Sequence, residues 1–263
     1  MCLILFAHQT HPDYPLVLAA NRDEAYARPT APAAFWDDEP RIYGGRDLEQ
    51  GGTWLGITRS GRVAAVTNYR NSDQTKTSSR SRGELVANYL RVDQRPADYL
   101  ARLRPDAGVY NGFNLITGDL DELCYLSNRG GDPIVIAPGV HGLSNHLLDT
   151  PWPKVERGKK ILTELLRRKT QDLVDELFTL LAERTVASDA ALPETGVGLA
   201  RERVLSPAFI ISPGYGTRSS TVLLVDNHGQ VVFVERSFGE GGKQGSSTTG
   251  RFALEIAPTP AAV

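Results

Sequence analysis

Apolar residues occur in short runs that change period along the chain. Residues 3–7 and 16–20 are continuous apolar stretches, and His8, His11, Pro12, Asp13 and Pro15 fall between them. Unbroken runs of this length bounded by turn residues predict a β-hairpin buried on both faces. Asn21-Arg22-Asp23-Glu24 follows as a burst of polarity, read here as the end of the second strand. Arg28, Pro29, Pro32 and Pro40 come next, and their density predicts a loop. Two further runs flank Ser60-Gly61, which gives a second hairpin over residues 51–58 and 62–68.

The period then lengthens. Ser81-Arg82-Gly83-Glu84 has the Ser-x-x-Glu spacing of a capping box and predicts a helix through Leu85 and Leu90. A second helix is expected over residues 96–103, then a third hairpin over residues 115–118 and 123–127. Ile161, Leu162, Leu165 and Leu166 form one helical stripe, and Leu173, Leu177, Leu180 and Leu181 form another. They predict helices over residues 155–168 and 173–184. Strands follow over residues 209–211, 221–225 and 231–235, with Asn227-His228-Gly229 as a turn. Residues 239–250 are rich in Gly and Ser and are expected to be flexible, with an edge strand over residues 252–256. Consecutive hairpins imply antiparallel sheets. Paired helices fit two such sheets between helical layers, or one sheet with helices on one side. Either is an α+β fold, expected to be a single domain over residues 1–263.

Composition narrows the function. Lys and Arg total 29 against 31 for Asp and Glu, so no basic field favours nucleic acid or an anionic membrane. A small-molecule substrate or ligand is the expected partner. Residues 3–7 are too short for a signal-peptide core and no run is long enough to span a membrane, so a cytoplasmic location without membrane insertion is expected. Two cysteines, Cys2 and Cys124, imply neither a disulfide framework nor a metal cluster. His8 and His11 lack metal-site spacing.

Cys2 carries the chemical interest. Methionine is commonly trimmed before so small a side chain, which leaves a cysteine with a free α-amino group of reference pKa about 7.7–8.0. One residue then supplies both nucleophile and base. The competing reading is a small apolar residue opening a buried strand. Cys124, inside a strand-like run, is read as an inert core thiol.

Met1-Cys2-Leu3-Ile4, Asn21-Arg22-Asp23-Glu24, Gly51-Gly52-Thr53-Trp54-Leu55-Gly56, Thr67-Asn68 and Ser81-Arg82-Gly83-Glu84 occur in order. Asn111-Gly112-Phe113-Asn114, Gly142-Leu143-Ser144-Asn145 and Tyr215-Gly216-Thr217-Arg218-Ser219 continue the series. Together they resemble the NRDE family, also called the transport and Golgi organization protein 2 family, over nearly the whole chain. That family is distantly similar to the amino-terminal nucleophile (Ntn) hydrolases of the choloylglycine hydrolase and penicillin V acylase group. The resemblance implies a four-layer αββα sandwich of two antiparallel sheets and a cysteine amidohydrolase acting on a linear amide.

By the same resemblance Cys2 is the nucleophile, Asn68 the oxyanion-hole donor, Asn145 a substrate-positioning residue and Arg218 a supporting arginine. Asp23 would hold the α-ammonium, or else fix a loop through a buried ion pair. Arg22 would lower the thiol pKa by proximity. The hydrolase group separates its arginine and aspartate by two residues, whereas Arg22 and Asp23 are adjacent. Trp54 fits a pocket wall or ordinary packing, and His146 fits a wall rather than a base. No cofactor is expected of the hydrolase. The alternative implied by the resemblance is a binding or trafficking protein for a hydrophobic ligand, haem or lipid-derived. No Cys-Pro motif or evident axial histidine accompanies it.

Overall fold

The computed structural model describes residues 2–71, 80–168 and 172–255. Its strands form two antiparallel sheets of seven strands each. The first runs in the order β10 (Gly139–Leu143), β1 (Cys2–His8), β2 (Leu16–Ala25), β12 (Tyr215–Val225), β13 (Gln230–Phe238) and β14 (Gln244–Ala253), with β11 (Ile211–Ser212) beside β12. The second keeps sequence order: β3 (Thr30–Phe35), β4 (Ile42–Asp47), β5 (Leu55–Thr58), β6 (Val63–Asn68), β7 (Phe113–Gly118), β8 (Leu123–Ser127) and β9 (Ile134–Val135).

Three apolar clusters hold the layers together, and strand alternation assigns each side chain to one of them. Ile4 and Phe6 join Leu18 and Ala20 in the core between the sheets, against Trp54, Leu55 and Ile57. Leu3 and Leu5 join Val17 and Ala19 on the other face, beneath α3 (Pro153–Leu166) and α4 (Leu173–Leu181). The second sheet's outer face packs under α1 (Gly83–Arg91) and α2 (Pro96–Leu103) through Leu85, Tyr89 and Leu100. Helices therefore cover both outer faces, giving the αββα sandwich rather than a one-sided sheet. A short α5 (Leu199–Leu205) precedes β11.

Five local expectations are corrected. Strand β2 does not end at the polar burst but runs to Ala25, because Asn21, Arg22, Asp23 and Glu24 pair in the ladder with Ser220, Ser219, Thr217 and Gly216 of β12. The proline-rich segment contains β3 and is followed by β4. Pro32 is tolerated because β3 is an edge strand whose register shifts between Ala31 and Ala34. The capping box does not form. Ser81 Oγ accepts the Gly83 N–H at 3.2 Å, and the Glu84 carboxylate turns to Arg80 and to the Tyr110 hydroxyl. The predicted strand at residues 209–211 is displaced to β11. The Gly- and Ser-rich stretch contains β14, which pairs along β13, so the expected edge strand starts earlier than residue 252. Residue 256 lies outside the described residues.

Candidate active site

The first described residue of β1 stands where several strand ends meet. Cys2 is half-buried and lies directly opposite Arg22 in the β1–β2 ladder. Opposed residues share a face, and this one continues Ile4 and Ala20 toward the second sheet. Arg22 is buried, with its guanidinium 4.3 Å from the Trp54 ring centroid and Nη1 donating to Thr30 Oγ1 at 3.2 Å. Trp54 thus serves as the platform for Arg22 and also lines the adjoining cleft.

Asp23, one residue on, faces the helical layer. Its Oδ1 accepts from Thr217 Oγ1 at 2.7 Å, and its backbone carbonyl accepts from the Tyr215 hydroxyl at 3.0 Å. Adjacency of Arg22 and Asp23 therefore places them on opposite faces of one strand. Arg22 shares the face of Cys2, while the backbone N–H of Asp23 reaches the sulfur. Burial pushes the Cys2 thiol up, and the Asp23 charge adds to this. The Asp23 N–H and the Arg22 charge oppose it.

A second set of bonds ties this corner to the other sheet. Ser144 Oγ donates to the Cys2 carbonyl at 3.0 Å, and Thr67 Oγ1 donates to the Ser144 carbonyl at 2.6 Å. Asn145 is fully buried. Its Nδ2 donates to the Asn68 carbonyl at 2.9 Å, and its own carbonyl accepts the Arg70 N–H at 2.7 Å. Asn68, half-buried at the end of β6, has a side-chain amide with no hydrogen-bond partner among the described residues. Cys2, Asn68 and Asn145 are thus linked through Ser144 and Thr67.

The remaining two expected residues stand farther out. His146 Nδ1 bonds Thr150 Oγ1 at 2.9 Å, and its ring lies between Tyr69 and Trp152. Arg218 occupies the bulge between Thr217 and Ser219, where its Nη1 donates to the Tyr26 carbonyl. Cys124 is buried, and burial pushes its thiol up to about 12.

Sequence reasoning missed a charged group beneath the site. Lys154 is buried in the first turn of α3, with Nζ donating to the Leu205 carbonyl at 3.0 Å. Burial pulls it down to about 8, and the Asp23 charge supports its protonated form. Burial pushes the Asp23 carboxyl up, with Lys154 opposing. Arg70 Nη1 pairs with Glu202 at 2.6 Å, both side chains buried. A cation in the first turn of a helix opposes the helix dipole, so Lys154 directly after Trp152-Pro153 was the legible signal.

Known proteins resemble the chain in sequence and in fold. The family model for Transport and Golgi organisation 2 matches residues 1–240. A bovine Transport and Golgi organization protein 2 homolog is 40% identical, covering 97% of this chain and 100% of that protein. The human homolog is 41% identical over 90% of this chain and 93% of its own length. Among solved structures, a Caenorhabditis elegans N-acylethanolamine-hydrolyzing acid amidase ortholog superposes with a TM-score of 0.51 at 12% identity, covering 85% of this chain and 92% of that one. The fold is that of the Ntn hydrolases, and the chain belongs to the Transport and Golgi organisation 2 family.

Proposed function

We propose that the chain is an amino-terminal cysteine amidohydrolase with Cys2 as nucleophile. The observation that carries the reading is the position of Cys2. It is half-buried at the start of β1, shares a face with Arg22 and is hydrogen-bonded through its carbonyl to the segment that also holds Asn68.

A thiol pushed up by burial keeps its proton at rest, so attack needs a base. Removal of Met1 frees that base on Cys2 itself. Antiparallel pairing sets Asp23 one step beyond Arg22, on the side from which the Cys2 nitrogen leaves the strand. The amine takes the thiol proton and sulfur attacks the amide carbonyl. The negative oxygen of the tetrahedral intermediate accepts from the Asn68 amide. Loss of one such donor costs about 2.7–4 kcal/mol in a hydrolase. The protonated α-amine then gives its proton to the departing nitrogen, leaving a thioester. Water, deprotonated by the same amine, attacks the thioester and releases a carboxylic acid with the free thiol. Asn145, held by Asn68 and Arg70, positions the oxyanion donor.

The fold-level neighbour named for N-acylethanolamine hydrolysis supports a linear amide as the substrate class. The alternative is a binding or trafficking protein for a hydrophobic ligand, haem or lipid-derived, and for haem the apolar groove beside β9 offers a poor axial donor. His141 lines the apolar groove beside β9, but its Nδ1 is held by Asp149 and its Nε2 by the Ala137 carbonyl.

Intact mass of a native preparation tests the reading. The expected result is a chain without Met1 that gains one acyl group on Cys2 from an activated amide. A chain from its native host that retains Met1 and takes no label overturns it, leaving a ligand-binding role on the same fold.

A further inference from the structure

The helical face of β2 carries a charged layer that the reaction steps above leave unused. Asp23 points into it, and Lys154 reaches it from the first turn of α3. Lys154 is 6% exposed, and its Nζ donates to the Leu205 carbonyl at 3.0 Å, a neutral partner. Of the charges acting on Asp23, that of Lys154 is the strongest, and Asp23 is likewise the strongest acting on Lys154.

The other groups bearing on Lys154 are Arg70, Cys2 and Glu202. Arg70 and Glu202 pair with each other at 2.6 Å. Arg157 and Glu183, which line the same small cavity as Lys154, are paired at 2.5 Å. Tyr215 and Tyr26 face Asp23 as neutral phenols, each pushed up by burial, and the Cys2 thiol is raised in the same way. Arg22 and Glu24 alternate onto the opposite face of β2. Arg22 and Arg82 both act on Cys2 and both feel Glu24. Among the described residues the layer therefore balances, with Lys154 and Arg70 set against Asp23 and Glu202.

Removal of Met1 offers this balanced layer a further cation. A freed α-ammonium on Cys2 would share Asp23 with Lys154, and two like charges on one carboxylate disfavour the protonated amine. We propose that Lys154 is a positioning residue whose charge competes for Asp23 and so holds the freed α-amine of Cys2 in its neutral, proton-accepting form. This role rests on the hydrolase reading of Cys2. At rest the neutral amine is ready to take the thiol proton. Once it has done so, repulsion from Lys154 favours passing that proton to the departing nitrogen.

Titration of the amine itself tests the role. The chain has two cysteines, so 13C-cysteine labelling of the full chain beginning at Cys2 gives two sets of signals. The Cys2 Cα shift follows its amine, and buried Cys124 serves as the internal control. The wild-type amine is expected to titrate below the ordinary value of about 7.7–8.0. Lys154→Met should move it up by about one pH unit, a tenfold change in proton affinity. Lys154→Gln stands in if the methionine variant does not fold, and Lys154→Arg, which keeps the charge, should restore the wild-type value. The pH profile of acyl transfer from octanoyl p-nitroanilide to Cys2, read by intact mass, should move with the amine. A wild-type amine at or above the ordinary value, or one that titrates alike with and without the Lys154 charge, overturns the proposal. The expected titrations without an adduct at any pH retain the role of Lys154 and remove the hydrolase. Adduct formation whose pH profile ignores Lys154 does the reverse.

Discussion

Single side chains decide the chemistry. Cys2→Ser should remove the acyl adduct from the mass spectrum while leaving the thermal melt within about 1 °C, since Cys2 is half-buried and contributes little packing. Glu235 gives a separate handle. It is buried between β3 and β12, accepting the Ala33 N–H at 2.8 Å and the Thr221 hydroxyl at 3.4 Å, and burial pushes it up to about 7 from 4.5. An acid raised in the folded state binds more protons folded than unfolded, so stability falls as pH rises from 4.5 to about 7. Glu235→Gln should flatten that fall, read as melting temperature against pH. Lys154 acts in the opposite sense. Its folded value of about 8 lies below the ordinary 10.5, so stability rises across that interval.

At the scale of elements, two joints hold the site. Arg70, just after β6, is tied to α5 by its buried pair with Glu202, which also accepts the Thr195 hydroxyl. Glu202→Gln breaks a buried ion pair and should cost about 3–5 kcal/mol in urea denaturation. Gly52 lies against the start of α1, where a Cβ would come within 2.6 Å of the Gly83 carbonyl oxygen. Gly52→Ala should therefore push the helix off the cleft and cost roughly 1–3 kcal/mol in the same assay. The Gly51-Gly52 motif thus has a packing reason as well as a place in the family pattern. Most helices and hairpins were legible because their periods and turn residues are strong. The β2 extension was not, because polarity in a strand reads as a turn until the partner strand supplies hydroxyls such as Thr217 and Ser220. Strand β3 was hidden for a similar reason, since edge position excuses its proline.

For the molecule as a whole, the layered order was legible from hairpins and paired helices, but the sheet pairing was not. No local pattern announces that β2 pairs with β12 across almost two hundred intervening residues, and that pairing brings Thr217 and Tyr215 to Asp23. The quoted motifs pointed to Cys2, Asn68 and Asn145, which one hydrogen-bonded corner brings together, whereas buried Lys154 needed three-dimensional packing. Among the described residues, no helix is long and apolar enough to cross a membrane.

Strand β1 starts at Cys2, opposite Arg22, so the proposed mechanism requires the nitrogen at the very start of that strand to be a free amine. On the hydrolase reading, affinity handles and reporter fusions at that end would gag Cys2, converting its amine into a peptide nitrogen. Recombinant material made that way would fold normally and score as inert. Purification handles therefore belong at the opposite terminus, and a protease scar of even one residue before Cys2 should silence the preparation.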